Sequence, residues 1–321
     1  MTASDFLKQW RDSSKAIAVK TSGSTGDPKQ IYLSKRDMML SACATNKFFG
    51  LKDGSRFICP MSFEFIGAKM MAVRALMARG ELVEVNPANN FTFDGHADLL
   101  AIVPSQVDCL INSKELISKT KNVIIGGAPL DDKTIERLFE LNVNAFQTYG
   151  MTETASHVAL RKVGEPHYKA LPGVTFSTDD RQCLVIEMQG RDSSHIVTND
   201  IVELISPTLF LWQGRFDNVI NSGGVKVHPE LLEKEIKSIL DGAGIRYEEV
   251  LVTSRASAKW GEEVICVLEM NKESIPSCAF QLLCLLKTQL KNSMHSPKEL
   301  IFVEKLHRTL SGKINRKFKD Y

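Results

Sequence analysis

The sequence predicts an α/β fold in two parts, a large N-terminal α/β domain followed by a smaller α+β domain. Short apolar runs alternate with stretches of helical spacing as far as about Lys162. Closely spaced strand patterns follow, and a further unit begins near residues 214–217. Alternating strands and helices are typical of a largely parallel sheet, so we expect such a sheet in the first part.

The N-terminal part contains five predicted buried strands and three predicted helices. The strands are residues 15–20, 56–59, 82–85, 99–103 and 122–125. The helices are residues 34–49, 65–79 and 131–141. Ser34 and Asp37 have the S-x-x-D spacing of a capping box, which supports a helix start at that point.

The later elements are also predicted from short patterns. Strands are expected at residues 174–176, 182–187, 201–205 and 209–212, and then at 249–253 and 262–269. Helices are expected at residues 229–240 and 277–291, and a basic tail covers residues 307–319.

Composition excludes several classes of protein. The 321 residues are 43% hydrophobic and 24% charged, with a formal net charge of +2. This is ordinary globular composition, without a strong field for nucleic acid or a membrane surface. The first eleven residues lack an apolar signal core, and no apolar run approaches the roughly 18 residues that span a bilayer. We therefore expect a cytoplasmic protein without membrane insertion; its oligomeric state is not encoded in any pattern.

Seven cysteines are scattered along the chain without a C-x-x-C pair. This spacing argues against a zinc site or a redox dithiol, and we expect free buried thiols.

The most informative segment is a loop rich in glycine and hydroxyl groups between two apolar runs. Its glycines let backbone amides approach a ligand, and its hydroxyls and lysine add donors for phosphate oxygens. A flexible linker is the alternative interpretation. A Walker A loop is excluded because Asp27 follows Gly26. The predicted phosphate-binding residues are Thr21, Ser22, Gly23, Ser24, Thr25, Gly26 and Lys29.

This loop resembles the phosphate-binding signature of the adenylate-forming superfamily, which includes acyl-CoA synthetases, luciferases and peptide-synthetase adenylation domains. Five further segments resemble the family's motifs in the family's order. They are Ile125-Gly-Gly-Ala-Pro129, Tyr149-Gly-Met-Thr-Glu-Thr154, Thr198-Asn-Asp200, the pair of segments 214–220 and 222–230, and Thr309-Leu-Ser-Gly-Lys-Ile314. Asn199 replaces the glycine of the family's T-G-D motif.

The resemblance implies an adenylate-forming fold with a nucleotide- and acid-binding domain at residues 1–214 and a mobile domain at residues 215–321. The hinge between them corresponds to Asp217. Only about twenty residues precede the phosphate loop, so the family's N-terminal subdomain is expected to be largely missing. We expect a natural short form, and a truncated product is the alternative. Replacement of the missing portion by a partner chain is left open.

The resemblance also implies roles for individual residues. Tyr149 would stack on adenine, Thr152 would contact the α-phosphate, and Glu153 would bind Mg²⁺. Asp200 would accept the ribose hydroxyls, and Arg215 would add a ribose or phosphate contact. The remaining nucleotide-binding residues would be Gly126, Gly127, Ala128, Pro129, Gly150 and Met151. Considered singly, Tyr149 could be a core residue, Glu153 a surface residue and Arg215 part of a surface ion pair.

Lys313 is the residue predicted to act in the chemistry, because a fixed cation offsets the repulsion between a carboxylate and the α-phosphate. A solvated lysine of the basic tail is the alternative. In the family, acid and MgATP first give an acyl-adenylate and pyrophosphate. The C-terminal domain then rotates about its hinge, and coenzyme A displaces AMP.

The acid is predicted from the segments between these motifs. Val103-Pro-Ser-Gln106 and the helix containing Lys69 and Arg74 resemble short bacterial o-succinylbenzoate–CoA ligases of menaquinone biosynthesis. This acid has two carboxylates, and Lys69, Arg74 and His157 are candidates to bind the one that does not react. Lys69 extending past apolar neighbours and a structural His157 are the alternatives. Other functions left open are a CoA ligase for another aryl or acyl acid, a carrier-loading adenylation enzyme, and a non-catalytic nucleotide-binding relative.

Overall fold

The structure is a computed structural model that describes residues 1–20, 30–275, 279–308, 314–317 and 321. Its contacts divide the chain into two compact units. The first comprises Met1–Thr178, Val185–Thr198 and Leu204–Leu211, and the second comprises Asp179–Leu184, Asn199–Glu203 and Trp212–Tyr321. The predicted domain boundary after residue 214 and the hinge at Asp217 stay predictions.

The structure contains eight α-helices in its described part. They are α1 (Ala3–Arg11), α2 (Lys35–Phe49), α3 (Ile66–Ala78), α4 (Val107–Ile111), α5 (Lys114–Lys119), α6 (Asp132–Glu140), α7 (Pro229–Gly242) and α8 (Ala279–Gln289). Short 3₁₀ helices lie at Pro104–Gln106, Phe216–Asn218, Lys272–Ser274 and Ser293–His295.

Eighteen strands are found in the same residues. The first nine are β1 (Ala16–Lys20), β2 (Gln30–Ser34), β3 (Arg56–Cys59), β4 (Glu81–Glu84), β5 (Leu99–Ile102), β6 (Val123–Ile125), β7 (Ala145–Gly150), β8 (His157–Lys162) and β9 (Tyr168–Ala170). The others are β10 (Val174–Thr178), β11 (Cys183–Met188), β12 (His195–Ser206), β13 (Leu209–Arg215), β14 (Ile220–Ser222), β15 (Val225–Val227), β16 (Glu249–Ser257), β17 (Gly261–Glu269) and β18 (Glu299–Val303).

An eleven-stranded sheet has the order β10-β11-β12-β13-β9-β8-β7-β6-β5-β3-β4. Strands β3 to β7 pair in parallel, whereas β7 with β8, β8 with β9 and β9 with β13 pair antiparallel. The expectation of a parallel sheet in the first part is therefore confirmed for five adjacent strands. It is wrong for β8, which pairs antiparallel with β7, and for the predicted strand at residues 15–20, which pairs antiparallel with β2 in a separate two-stranded sheet. Strands β7, β8 and β9 follow one another through short connections, and such connections favour antiparallel pairing.

The central parallel strands β3, β5 and β6 are mostly buried, which is why they appear as continuous apolar runs in the sequence. Strand β4 lies at the sheet edge with no fully buried residue, so the expectation of a buried strand at residues 82–85 is wrong in its burial. All four residues of β5 and all three of β6 are buried. Ile58, Leu100 and Ile125 share a core cluster with residues of α4 and α6, such as Leu110 and Leu138. This core fixes the ends of the parallel strands, where the predicted motifs lie.

Helix α1 was not predicted, because most of its residues are polar. Thr2 and Asp5 form a capping box at its start, and this spacing was present in the sequence. Phe6 is fully buried and its ring lies 6.3 Å from that of Phe63. A single buried aromatic residue anchors this helix beside α3.

The predicted capping box of α2 is only half correct. Ser34 Oγ accepts a hydrogen bond from the Asp37 amide at 3.1 Å, as expected. The Asp37 carboxylate instead accepts hydrogen bonds from the amides of Asp192 (2.7 Å) and Ser193 (3.0 Å). Tertiary partners therefore take the oxygens that a capping box would direct to the helix start.

The second unit is built around a five-stranded sheet in which β15, β14, β17 and β16 are adjacent and β18 pairs with β17. Helices α7 and α8 contribute Leu232, Ile236, Leu282 and Leu286 to its core. A second apolar cluster contains Leu251, Val267 and Leu306, with Ile314 packed against it.

Two further expectations concern thiols and membranes. Cys59, Cys183 and Cys266 are free and buried, but Cys43 and Cys284 are exposed, so the expectation of buried thiols is wrong for these two. In the part of the chain that the structure describes, no helix is both long and apolar enough to cross a bilayer.

Candidate active site

The parallel strands bring three predicted segments, together with the loop after β3, to one edge of the sheet. Residues 60–65 follow β3, 103–106 follow β5, 126–129 follow β6, and 151–154 follow β7. Because the carboxyl ends of parallel strands lie at the same edge, these loops are neighbours. Open α/β sheets bind ligands at this edge, so it is the candidate active site.

Gly126 is required by close packing at this edge. A Cβ atom at Gly126 would lie 2.5 Å from Oγ1 of Thr148 on the neighbouring strand. Any side chain there would separate the loop after β6 from β7. The loop continues through Gly127, Ala128 and Pro129, which are exposed; their contact with nucleotide stays a prediction.

Gly150 is required for a second close approach. A Cβ at Gly150 would lie 2.6 Å from Cα of His157 and would collide with the carbonyl oxygen of Ser156. The register between β7 and β8 shifts between Tyr149 and Gly150. The glycine therefore lets residues 151–156, the 151–156 turn, fold back tightly onto β8.

Two predicted catalytic residues, Thr152 and Glu153, lie in the 151–156 turn and differ in solvent exposure. Thr152 and Met151 are half-buried, whereas the Glu153 side chain is exposed. Within the described ranges, the Glu153 carboxylate has neither a hydrogen bond nor an ion pair. It is therefore available to bind a cation.

The donor groups fit a magnesium ion held together with a phosphate ligand. Among the residues that the structure describes, no group of three or more His, Cys, Asp or Glu could hold a metal. Mg²⁺ commonly uses one or two protein carboxylates and completes its coordination with phosphate oxygens and water. The single carboxylate of Glu153 fits this mode of binding.

Tyr149 lies in an aromatic cluster. Its ring centroid is 5.1 Å from that of Phe210 and 5.6 Å from that of Tyr168. Phe210 is fully buried, but Tyr149 remains half-buried. The ring is thus held by aromatic neighbours while part of it stays accessible, and its contact with adenine stays a prediction.

Gln106, the last residue of the V-P-S-Q segment, connects the loops of this edge. Its side-chain amide donates to the carbonyl oxygens of Pro60 (2.6 Å) and Ala88 (2.8 Å), and its Oε1 accepts from the Val103 amide (3.1 Å). These bonds position the loop after β3 against the loop after β5.

Lys69 and Arg74, two of the three candidate substrate residues, are buried on α3. Lys69 is 4% exposed, and burial lowers the pKa of its ammonium group. Its Nζ makes no hydrogen bond to any residue in the described ranges. Arg74 is 1% exposed, and burial lowers the pKa of its guanidinium to about 10.

His157, the third candidate, lies against Arg74. The guanidinium Nη2 is 3.4 Å from His157 Nδ1 and can only donate, so Nδ1 is the acceptor. Nε2–H then donates to Thr45 Oγ1 at 3.0 Å. Burial and the charge of Arg74 lower the pKa of His157 well below its usual value. Both residues have intramolecular partners, and their contact with substrate stays a prediction.

Asp200, Arg215 and Asp217 belong to the second unit. Asp200 is buried and accepts a hydrogen bond from Trp212 Nε1 at 3.2 Å. The Arg215 guanidinium lies 3.8 Å from Asp200 and 2.7 Å from Asp217. Arg215 therefore makes the ion pair of the alternative interpretation, and its contact with nucleotide stays a prediction.

Several predicted residues lie outside the described ranges. They are the phosphate-binding loop at residues 21–29, which includes Thr21, Ser22, Gly23, Ser24, Thr25, Gly26 and Lys29, and residues 309–313, which include the predicted catalytic Lys313.

Three residues with roles near the predicted motifs were missed. Arg191 donates to the carbonyl oxygen of Thr154 at 2.9 Å, Thr154 closes the 151–156 turn, and Asn199 binds Asp217. Thr154 and Asn199 belong to recognised motifs, which was a signal that they had a role. Arg191 had no such signal, because its partner is distant in sequence.

A separate open groove of about 940 Å³ lies in the first unit. It is lined by residues such as Phe48, Leu171, Met188 and Thr208, and by none of the residues predicted to bind nucleotide or acid.

Comparison with known proteins defines the class of enzyme to which this chain belongs. The family model of AMP-binding enzymes matches residues 9–194, more than half of the chain. The protein belongs to this family, as its motifs predicted. The predicted α/β adenylate-forming fold is confirmed as well.

Individual relatives show which members of the family this chain resembles. The 2-succinylbenzoate–CoA ligase of Listeria monocytogenes serovar 1/2a is 25% identical over 97% of this chain and 71% of its own. The structure of an AMP-forming acyl-CoA synthetase/AMP-acid ligase II-like protein from Dyadobacter fermentans is 29% identical, with a TM-score of 0.64, over 98% of this chain and 91% of its own. The Bacillus subtilis o-succinylbenzoate–CoA synthetase, solved with ATP and magnesium, has a TM-score of 0.75 at 19% identity over 93% of this chain and 68% of its own. At that identity the likeness concerns the fold.

Proposed function

We propose that this protein is an ATP-dependent carboxylate–CoA ligase that converts o-succinylbenzoate to its CoA thioester, the reaction of this ligase in menaquinone biosynthesis. The observation that carries the ligase activity is the 151–156 turn. It places an exposed carboxylate, that of Glu153, at the ligand-binding edge of the sheet in a member of the AMP-binding enzymes. Dependence on ATP and CoA fits an enzyme of the cytoplasm.

The first half-reaction is adenylation. A carboxylate oxygen of the acid attacks the α-phosphorus of ATP, and the bond to pyrophosphate breaks. Mg²⁺ held by Glu153 would offset phosphate charge. Thr152 would donate to an α-phosphate oxygen, and Lys313 would stabilise the charge that develops between the two anions.

The second half-reaction is thioester formation. The thiol of coenzyme A attacks the acyl carbon, the bond to the AMP oxygen breaks, and the thiol proton passes to solvent. Lys313 has no part in this step, so loss of its charge would impair only the first half-reaction. The predicted change between the two steps is a rotation of residues 215–321 about Asp217.

The substrate is supported by the similarity to the Listeria ligase over 97% of this chain and by Lys69. o-Succinylbenzoate has one carboxylate that reacts and one that needs a partner. Of the three candidates, Arg74 and His157 hydrogen-bond to protein atoms, whereas Lys69 Nζ has no such partner in the described chain. An ammonium group on a largely buried side chain, without a hydrogen-bond partner, is well compensated by an anion. We therefore assign the second carboxylate to Lys69.

The test measures AMP, pyrophosphate and thioester formed from ATP, CoA and o-succinylbenzoate. Lys313→Ala should lose adenylation yet convert supplied acyl-adenylate to thioester, and Lys317→Ala, at an exposed lysine of the same tail, should do both. Better turnover of benzoate or a fatty acid would exclude the proposed substrate. Pyrophosphate release without thioester would indicate a different acceptor, such as a carrier protein.

The role of Lys69 is tested with two analogues that each lack one carboxylate, 3-benzoylpropionate and 2-butanoylbenzoate. The analogue that is still activated identifies the reacting carboxylate. Lys69→Met should lower kcat/KM for o-succinylbenzoate by about 10- to 100-fold, the typical effect of a lost charged hydrogen bond. For the activated analogue it should change little. Lys47→Met, at an exposed lysine of α2, is the control.

A further inference from the structure

The 151–156 turn is closed by Thr154. Its Oγ1 accepts a hydrogen bond from the Met151 amide at 2.9 Å and donates to the carbonyl oxygen of Ser156 at 2.5 Å. The Ala155 amide donates to the carbonyl oxygen of Thr152 at 2.9 Å. The backbone position of Thr152 and Glu153 therefore depends on this small set of bonds.

The turn includes a strained residue. Ala155 has φ of 61°, in the left-handed region, and its side chain is buried. A non-glycine residue in this conformation costs about 1–2 kcal/mol, so such a conformation persists only where surrounding contacts enforce it. The bonds within the turn need support from outside it.

Arg191 supports one end of the turn. This residue is 8% exposed, and its Nη1 donates to the carbonyl oxygen of Thr154 at 2.9 Å. Within the described ranges no carboxylate lies at ion-pair distance from Arg191, and burial lowers the pKa of its guanidinium. A buried guanidinium is costly unless its hydrogen bonds are used, and one of its strongest bonds goes to the turn.

Arg74 supports the other end. Its Nη2 donates to Ser156 Oγ at 2.7 Å. Like Arg191, it has no ion-pair partner in the described chain, and its Nε is buried without a hydrogen bond there. Two buried guanidinium groups, from α3 and from the loop after β11, thus hold the two ends of one turn. They also place positive charge beside a segment predicted to meet phosphate.

We propose that Arg191 and Arg74 are positioning residues for nucleotide binding, acting through Thr154 and Ser156 on the turn that carries Thr152 and Glu153. The inference builds on the ATP-dependent activity proposed above but not on the identity of the acid. Loss of either contact lets the turn relax from its strained conformation. The Thr152 hydroxyl and the Glu153 carboxylate are then no longer fixed relative to a bound MgATP.

The test is calorimetric binding of MgATP in the absence of acid, which reports affinity separately from the fraction of active protein. Arg191→Met should weaken binding by about 10- to 100-fold, the usual effect of losing a group that orients a metal ligand. Arg191→Lys should recover part of the loss, because it keeps the charge and a donor. Ser156→Ala removes the 2.7 Å acceptor of Arg74 on the turn and leaves the longer contact of Arg74 with His157, and it should weaken binding by at least threefold.

Arg36→Met is the matched control. Arg36 is exposed and reaches Asp192, beside Arg191, at 3.5 Å without touching the turn. The inference would be overturned if Arg191→Met and Ser156→Ala bound MgATP with unchanged affinity. It would also be overturned if these variants differed from wild type only in the fraction of active protein. A wild-type protein that does not bind MgATP would overturn the inference and the proposed activity together. Wild-type protein that binds MgATP without converting o-succinylbenzoate would overturn only the substrate.

Discussion

The side-chain amide of Asn199 donates to both carboxylate oxygens of Asp217, at 3.0 Å and 3.3 Å. Arg181 Nη1 donates to Asn199 Oδ1 at 3.0 Å, which fixes the orientation of that amide. Asn199 is the residue that replaces glycine in the T-G-D motif, and glycine could not make these bonds. The departure from the family pattern therefore restrains the residue predicted to be the hinge.

Replacing Asn199 by alanine should loosen the segment around Asp217. The change removes hydrogen bonds worth about 1 kcal/mol and leaves Asp217 with Arg215. Hydrogen exchange at Val219, whose amide donates to the Phe216 carbonyl at 3.3 Å, should become faster. Asn112→Ala, which removes the acceptor of Arg137, is the control. Unchanged exchange at Val219 would show that Arg215 alone restrains the segment.

Replacing Glu153 by glutamine should lower the rate of adenylation and leave the stability of the fold nearly unchanged. The carboxylate is exposed, so the free energy of unfolding should change by less than about 0.5 kcal/mol. Adenylation should fall by about 100-fold, the typical cost of losing one electrostatic contact to the reacting groups. Pyrophosphate release at increasing Mg²⁺ should reveal a raised requirement for the ion. Glu165→Gln, at another exposed glutamate, should behave as wild type; full activity of Glu153→Gln would exclude its role in binding Mg²⁺.

His157 should make folding stability dependent on pH. Its folded pKa is lowered well below the usual 6.5, mainly by burial. Between that lowered value and pH 6.5 the unfolded chain binds more protons than the folded protein, so stability falls as pH falls below about 6.5. The slope contributed by one such group approaches about 1.4 kcal/mol per pH unit.

Urea unfolding between pH 7.5 and 5.5 measures this slope. His157→Gln should have a flatter dependence, because glutamine can donate to Thr45 without titrating. His96→Gln, at an exposed histidine, serves as the control. Equal slopes in His157→Gln and wild type would contradict the assignment of a buried, neutral His157.

The pair of Arg316 and Glu233 should be the most costly single contact to break in the second unit. The guanidinium donates to both carboxylate oxygens, at 2.6 Å and 2.8 Å. Burial raises the pKa of Glu233, and Arg316 opposes that effect. Arg316→Met should cost about 3 kcal/mol, because it leaves a buried carboxyl group without its partner.

The double variant Glu233→Leu with Arg316→Met should recover part of that stability in urea unfolding, since neither charge remains buried alone. Arg255→Met, at a more exposed ion pair with Glu263 and Glu299, should cost less than about 1 kcal/mol. Additive effects of the two substitutions at residues 233 and 316 would show that the pair is not coupled.

Local sequence patterns were sufficient for many elements. Strand β3 has the predicted bounds Arg56–Cys59, and α2 begins directly after the predicted cap, Ser34. These signals depend on residues that are near one another in the chain, such as a buried apolar run or a side chain that caps its own helix. Helix α1 escaped prediction because one aromatic residue, Phe6, provides its fully buried contact with the core.

The sequence by itself determined the family, the order of the motifs and the parallel strands that carry them, because these depend on residue identity and spacing along the chain. Only the tertiary structure decided which polar groups meet. Arg74 reaches Ser156, Arg191 reaches Thr154, and Asn199 reaches Asp217, across 82, 37 and 18 positions of sequence. Such partners are chosen by packing and by the cost of burying an unsatisfied polar group, and neither is encoded in local periodicity.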